Sequence, residues 1–406
     1  MKRHFLIAAG LCTAVAALSL PHTATAQQPP IRIGVTTAVQ LQVGRDTQEA
    51  IKMAIDDINA KGGVIGRKLE MVVADETENP ETGINAIRKL TAEEKVDVLI
   101  GGYTSGVTLA QIPHISRAKT IYMGIGAASP ALTARVKARY DEQKYIFRNF
   151  PIHAGYQARQ MTTFLSEFVG KQLGLKKVAI VGENAKWVQD LVPILKKGAT
   201  EAGVEVTFTE LFDTQTSDFS PLFSKARDSG AQFLTVILSH ASSDIFAKQW
   251  HDSNFPMPYG GIDVKSMDGD FCERIGGKSV SQIAANFAVS APLTEKTVPF
   301  FAEFKKRTNR IPVYTALGGN DAVYIYAEAV AKAGKTDTDE VIKALEKTSY
   351  IGTAGVIEFD ENHDLKAGGK YPNLLFAQWQ PDCTRQVVYP PHLKTADPIM
   401  PPWLKK

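Results

Sequence analysis

Cysteine, net charge and long apolar runs are all scarce in this sequence. Three cysteines occur in 406 residues, and the formal charge at neutral pH is only +3. So small an excess gives no reason to expect nucleic acid or an anionic membrane as a partner. The one extended uncharged stretch, Phe5 to Leu18, follows Lys2 and Arg3 and precedes "ATA" at Ala24 to Ala26. This is the three-part layout of a secretory signal peptide (residues 1–26), with cleavage expected after Ala26. A membrane span needs about 20 apolar residues, and Thr13, Ser19 and His22 interrupt or end this one. Acylation of Cys12 is not expected either, because Leu11 precedes it where a small residue is required.

Removing 26 residues leaves 380 and lowers the charge to +1. At about 150 residues per domain the remainder suggests two domains, each with its own core. Cys272 and Cys383 are left in an oxidising compartment, where one bridge is open to them. The expected location is the periplasm.

Apolar runs alternate with amphipathic stretches from "IRIGVTT" onward. Ala50, Ile51, Ala54, Ile55 and Ile58 share one helical face, and Gly62 and Gly63 end that helix. Next come the strand "KLEMVVAD", a helix capped by Asn79 with Pro80 at its first position, and the strand "VDVLI". "GGYTSGVT" (Gly101 to Thr108) therefore lies where a buried strand hands over to a helix, and "TIYMGIG" follows. After "YIFRNFP" the pattern repeats: a helix from His153, "KVAIVG", a helix from Trp187, "EVTFTELF", a helix from Asp218, "AQFLTVILS" and a helix from Ser243. Helices at Val298 to Thr308 and Leu317 to Ala333 and strands "AGVIEFD" and "NLLFAQWQ" complete the chain. The reading is α/β, two doubly wound lobes with short hinges crossed more than once.

Motifs for chemistry fail in turn. "GIGAAS" (Gly124 to Ser129) has Ser129 where a dinucleotide loop needs Gly or Ala for close helix packing, and it runs into Pro130. "GGKS" (Gly276 to Ser279) lacks the earlier glycine of a phosphate loop, whose place Cys272 holds. "DENHD" (Asp360 to Asp364) has Leu365 where a calcium loop needs glycine. Ser105 lies outside any G-x-S-x-G elbow. His114, His153, His240, His251, His363 and His392 form neither H-E-x-x-H nor a zinc spacing. No catalytic residue, metal site or cofactor is expected. What survives is polar loops after apolar strands: "TTAVQLQVG", "GGYTSGVT" and "GIGAASP" in the first lobe, "GENAKW", "SHASSD" and "GGIDVKSMD" in the second. Facing sets of this kind form a cleft that takes a small molecule at helix N-termini.

"AIKMAIDDINAKGGVIGRKLEMVVADETENP" together with "IGGYTSGVT" resembles the leucine/isoleucine/valine-binding family of periplasmic solute-binding proteins, which serve ABC importers. The resemblance spans the whole chain after the signal, and "DINAKGGVIGRKLE" is its most specific stretch. It implies two Rossmann-like lobes joined by a three-crossover hinge (periplasmic binding protein type I), residues 27–149 with 288–361 forming the N-terminal lobe and 150–287 with 362–406 the C-terminal one. It further implies a monomer, an ABC permease complex as partner and no enzymatic activity.

By position, the resemblance makes Ser105, with the amides of Thr104 to Gly106, the grip on a ligand carboxylate. Capping of the following helix is the ordinary alternative for Ser105. Ala127 and Ala128 match the loop that offers a carbonyl to a ligand ammonium, and Ala128 lacks the family's hydroxyl unless Ser129 supplies one. Trp187 and His240 stand at aromatic positions, and Asp263 at the acid that pairs with the ammonium. Val43 replaces an aromatic that encloses an aliphatic side chain, Tyr103 lies nearby, and Glu78 and Thr104 replace a cysteine pair. The implied ligand is a branched-chain or other hydrophobic amino acid. The competing readings are an aromatic carboxylate, and, from other classes, a secreted serine hydrolase using Ser105 or the ligand sensor of a signalling system.

Overall fold

The structure is a computed structural model that describes Met1, residues 28–287 and residues 289–404. The expected signal peptide, Met1 apart, and its cleavage point lie outside the described residues.

The first lobe is built from β1 (Ile31–Thr37), α1 (Gln42–Ala60), β2 (Leu69–Asp75), α2 (Pro80–Arg88), β3 (Val98–Gly101), α3 (Ser105–Ala118), β4 (Ile121–Gly124), α4 (Tyr140–Gln143) and β5 (Ile146–Arg148). Its five strands run parallel in the order β2-β1-β3-β4-β5. The local signals act as read. Asn79 accepts the amides of Glu81 and Thr82 at the start of α2. After α1, Gly62 and Gly63 take φ of 105° and 84°, and the Gly63 amide reaches back to the Ile58 carbonyl. A Cβ on Gly63 would lie 2.0 Å from the Arg67 carbonyl oxygen, so both conformation and space demand glycine there.

The second lobe follows with α5 (Ala154–Thr163), β6 (Lys177–Glu183), α6 (Lys186–Glu201), β7 (Glu205–Phe212), α7 (Ser220–Asp228), β8 (Phe233–Leu238), α8 (Ser242–Asp252), β9 (Tyr259–Asp263), α9 (Phe271–Arg274) and β10 (Ile283–Asn286). The chain then returns to the first lobe. Of α10 (Thr297–Thr308), α11 (Tyr314–Ala333) and α12 (Thr338–Leu345), α11 is buried on most of its surface and packs against α1. Gly318 and Gly319 let it approach, since a Cβ at either would sit about 3 Å from Phe150 and Ile51.

After a two-stranded ribbon, β11 (Tyr350–Ile351) and β12 (Val356–Ile357), the chain re-enters the second lobe as β13 (Leu375–Trp379) and β14 (Arg385–Tyr389). They add antiparallel to one edge of a sheet ordered β14-β13-β10-β9-β8-β6-β7. Two expectations change here. "AGVIEFD" shrinks to the two residues of β12, beyond which Phe359 makes only an isolated antiparallel bridge with Leu365. Strand β14 had no clear alternation to announce it. A bond between Cys272 and Cys383, with Cα atoms 5.5 Å apart, ties α9 to the turn that joins β13 and β14. This realises the bridge the sequence left open.

In each sheet the chain leaves the first strand in opposite directions, giving a switch point between β1 and β3 and another between β6 and β8. Crevices at the carboxyl ends of such strands accept ligands.

Candidate functional site

Both switch points open onto one cavity of about 230 Å³, lined from the first lobe by the loops after β2, β3 and β4 and from the second by those after β6, β8 and β9. It is compact beside the 300–1,000 Å³ usual for small-molecule pockets. Tyr103, Thr104, Ser105, Gly106, Ala128, Trp187 and His240 line it, and Val43, Ala127, Ser129 and Asp263 do not.

The first pole is the start of α3. Thr104 is its N-cap residue but makes no side-chain cap, so the amides of the first turn are left without an intrahelical or capping partner. Ser105 does not cap the helix either. Its Oγ accepts the amides of Ala128 and Ser129, both at 3.0 Å, which leaves its proton to donate. A hydroxyl donor beside free helix-N-terminal amides suits an anion such as a carboxylate.

Behind this pole lies Glu76, fully buried, with Oε1 accepting the Tyr103 amide at 2.8 Å and Oε2 accepting Thr36 Oγ1 and Gln111 Nε2. Burial raises its pKa despite those hydrogen bonds. The second lobe repeats the device. Glu183, equally buried at the end of β6, accepts the amides of Ser239 and His240 and the hydroxyls of Ser239 and Ser242. It also receives His240 Nδ1 at 2.8 Å. Burial opposes charge on both members of this pair. The Glu183–His240 hydrogen bond and mutual attraction outweigh it, lowering the carboxyl and raising the imidazole. A hydrogen-bonded His240–Glu183 pair thus stands at the cavity, with His240 on its wall and Glu183 behind it.

The walls are largely apolar. Tyr103, Trp187, Phe287 and Tyr314 supply rings, and Ile262, Val264 and Met267 aliphatic surface. Trp187 spends its indole N–H on Ser239 Oγ at 3.2 Å and so presents only its ring. The lobes are latched around the cavity: Tyr103 donates to the Ser239 carbonyl at 3.0 Å, and Ser129 Oγ donates to Asp190 Oδ2 at 2.6 Å.

Asp263, Val43, Ala127 and Ser129 lie off the cavity wall, and Ala128 is on it with its carbonyl engaged. Asp263 is turned away. Side chains alternate along β9, so its neighbours Ile262 and Val264 face the cavity while Asp263 faces Ser243, Gln282 and the Ser266 amide. Burial pushes its pKa up to about 6. Val43 packs in the first turn of α1, its carbonyl accepting the hydroxyls of Thr47 and Thr315. The Ala127 carbonyl accepts the Arg148 guanidinium, and that of Ala128 accepts the Ala154 amide at 2.8 Å. Ser129 Oγ is committed to Asp190.

Arg148, Glu76, Glu183, Phe287 and Tyr314 were not singled out in the sequence. Arg148 is 3% exposed and binds the carbonyls of Ala127, Ile152 and Ser129 and the carboxylate of Asp364. It holds the loop whose amides orient Ser105. The available signal was an acid closing each apolar strand run, "VVADE" and "KVAIVGE". Among the described residues, no three His, Cys, Asp or Glu side chains are placed to hold a metal ion, and no helix is long and apolar enough to cross a membrane.

Comparison with known proteins agrees with this architecture. A leucine-, isoleucine-, valine-, threonine- and alanine-binding protein of Pseudomonas aeruginosa is 24% identical over 365 residues, covering 87% of this chain and 90% of that one. The crystal structure of a putative branched-chain amino acid ABC transporter from Silicibacter pomeroyi superposes with a TM-score of 0.78 at 22% identity, covering 92% of this chain and all of that one. A solute-binding protein of an ABC transporter from Rhodopseudomonas palustris BisB5, in complex with 3,4-dihydroxybenzoic acid, superposes with a TM-score of 0.74 at 22% identity, covering 92% and 99%. The family model described as periplasmic binding protein matches residues 30–382. With two doubly wound lobes closing on a shared cavity and that match spanning nearly all of both, the chain belongs to the periplasmic binding protein family.

Proposed function

We propose that this protein is the solute-binding component of an ABC importer and that it encloses a small aromatic carboxylate between its lobes. Cleavage after Ala26 would release it to the periplasm as a monomer, and the closed form is what the permease complex would receive. The lobes exchange chain at 149/150, 287/288 and 361/362, and closure about these crossings needs ligand contacts from both sides. No chemistry is performed on the ligand.

One observation carries the choice of ligand: the expected acceptors for an ammonium group are already engaged. Gly126, Ala127, Ala128 and Ser129 each have their carbonyl oxygen bonded to a donor of the protein, and Asp263 faces away. The carboxylate donors at Ser105 stay available, and four rings line the same cavity. This favours an acid without an α-amine, the chemistry of the Rhodopseudomonas ligand. An aliphatic amino acid is the second reading, supported by Ile262, Val264 and Met267 in the wall and by the Pseudomonas relative.

Thermal-shift measurement on protein stripped by unfolding and refolding separates the two. Benzoate-class acids are expected to raise the melting temperature while leucine leaves it unchanged. Stabilisation by leucine alone would overturn the aromatic assignment.

A further inference from the structure

One polar pair on the cavity wall is not used by a carboxylate grip. His240 Nε2, from the second lobe, stands 3.7 Å from Glu78 Oε1, from the first. That is too long for a direct hydrogen bond, and both residues line the cavity. The partners of His240 fix what it can offer. Its Nδ1 is taken by Glu183, which is 0% exposed and accepts five donors of the protein. With a carboxylate beside each ring nitrogen, Glu183 at 2.8 Å from Nδ1 and Glu78 at 3.7 Å from Nε2, the ring is placed to carry both protons, and in that form Nε2–H is the side chain's remaining donor. Among the described residues Glu78 makes no shorter ion pair, and it offers carboxylate oxygens only as acceptors.

A group seated between them must accept from an N–H and donate to a carboxylate at once. A hydroxyl does both. An ether or carbonyl only accepts, an ammonium only donates and is repelled by the imidazolium, and a second carboxylate is repelled by Glu78. Among hydroxyls, a phenol is the stronger donor and brings a ring to the walls formed by Tyr103, Trp187, Phe287 and Tyr314.

We infer that His240 and Glu78 form a hydroxyl-recognition subsite bridging the two lobes, and that the ligand is a phenolic carboxylate whose acid group sits at Ser105. This rests on the aromatic-acid reading above and narrows it.

The test is calorimetric titration of the stripped, refolded protein with benzoate, 3-hydroxybenzoate, 4-hydroxybenzoate and leucine, repeated on Glu78→Ala. At least one hydroxybenzoate is expected to bind the wild type tenfold or more tightly than benzoate, and that ratio is expected to fall to within threefold of unity in Glu78→Ala. Glu78 is an exposed loop residue, and circular dichroism checks that the variant is folded. Benzoate binding with no preference for either hydroxybenzoate, or a preference that survives Glu78→Ala, overturns this subsite and leaves the aromatic-acid reading standing. Leucine binding without any benzoate binding overturns both.

Discussion

The phenol of Tyr103, on the loop before α3, donates across the cleft to the main-chain carbonyl of Ser239 at 3.0 Å, joining residues 136 apart in sequence. The bond is buried, and it exists only with the lobes together. Tyr103→Phe removes it and leaves the Ser239 carbonyl without that donor in the closed form. Affinity is expected to fall by about 0.5–1.5 kcal/mol, the range for one neutral hydrogen bond. Calorimetry with a bound acid, alongside small-angle scattering to measure the closed fraction, checks it.

Ser105→Ala is expected to weaken carboxylate binding by about 1.5–3 kcal/mol, as for a hydrogen bond lost to a charged group. The amides of Ala128 and Ser129 also lose their acceptor. Asp263→Asn, by contrast, is expected to leave ligand affinity within about 0.5 kcal/mol, since that side chain bonds Ser243 and Gln282 on the far face of β9. Equal losses in both variants, measured by titration, would restore Asp263 to the site.

Asp263 instead leaves its mark on stability against pH. Burial raises its pKa from 3.8 to about 6, so between those values the folded protein holds the extra proton. Its contribution is fully present below about pH 4 and is lost as pH rises through 6. The stability of the wild type relative to Asp263→Asn should therefore fall by about 3 kcal/mol between pH 3.5 and 7. Urea melts of both proteins across that range give the difference directly, and a flat difference would refute it.

Replacing Cys272 and Cys383 together by serine releases a loop whose ends lie 111 residues apart. A loss of about 2–5 kcal/mol is expected, largely through the unfolded chain. Denaturant melts with and without reductant on the wild type should show the same loss.

Arg148→Lys is expected to destabilise the protein by about 3–5 kcal/mol, because one ammonium cannot serve three carbonyls and Asp364 at once, and a buried carboxylate is left poorly paired. Carboxylate affinity at a temperature where the variant is still folded should fall as well, since the Ala127 to Ser129 loop loses its anchor.

The sequence by itself determined the architecture and the loops from which a site could be built. Helix periodicity, the Asn79 cap, the glycines after α1 and the alternation of apolar strands with amphipathic helices are local effects, and each acts through residues a few positions apart. The strand-to-helix handover at Gly101 to Thr108 was legible for the same reason, and so was the cleft between two sets of strand-end loops, whereas the missing side-chain cap at the start of α3 shows only in the fold. The tertiary structure alone decided which polar groups remain free to meet a ligand. Ala127, Ala128, Ser129 and Asp263 were plausible by position, but their hydrogen-bonding capacity is taken up by Arg148, Ala154, Asp190, Ser243 and Gln282. The opposing facts, that Glu183 holds His240 Nδ1 and that Glu78 stands across from its Nε2, join residues more than 50 positions apart. A hydrogen bond is spent once, and its partner is chosen by the packing of distant strands, so the inventory of free donors and acceptors exists only in the folded protein.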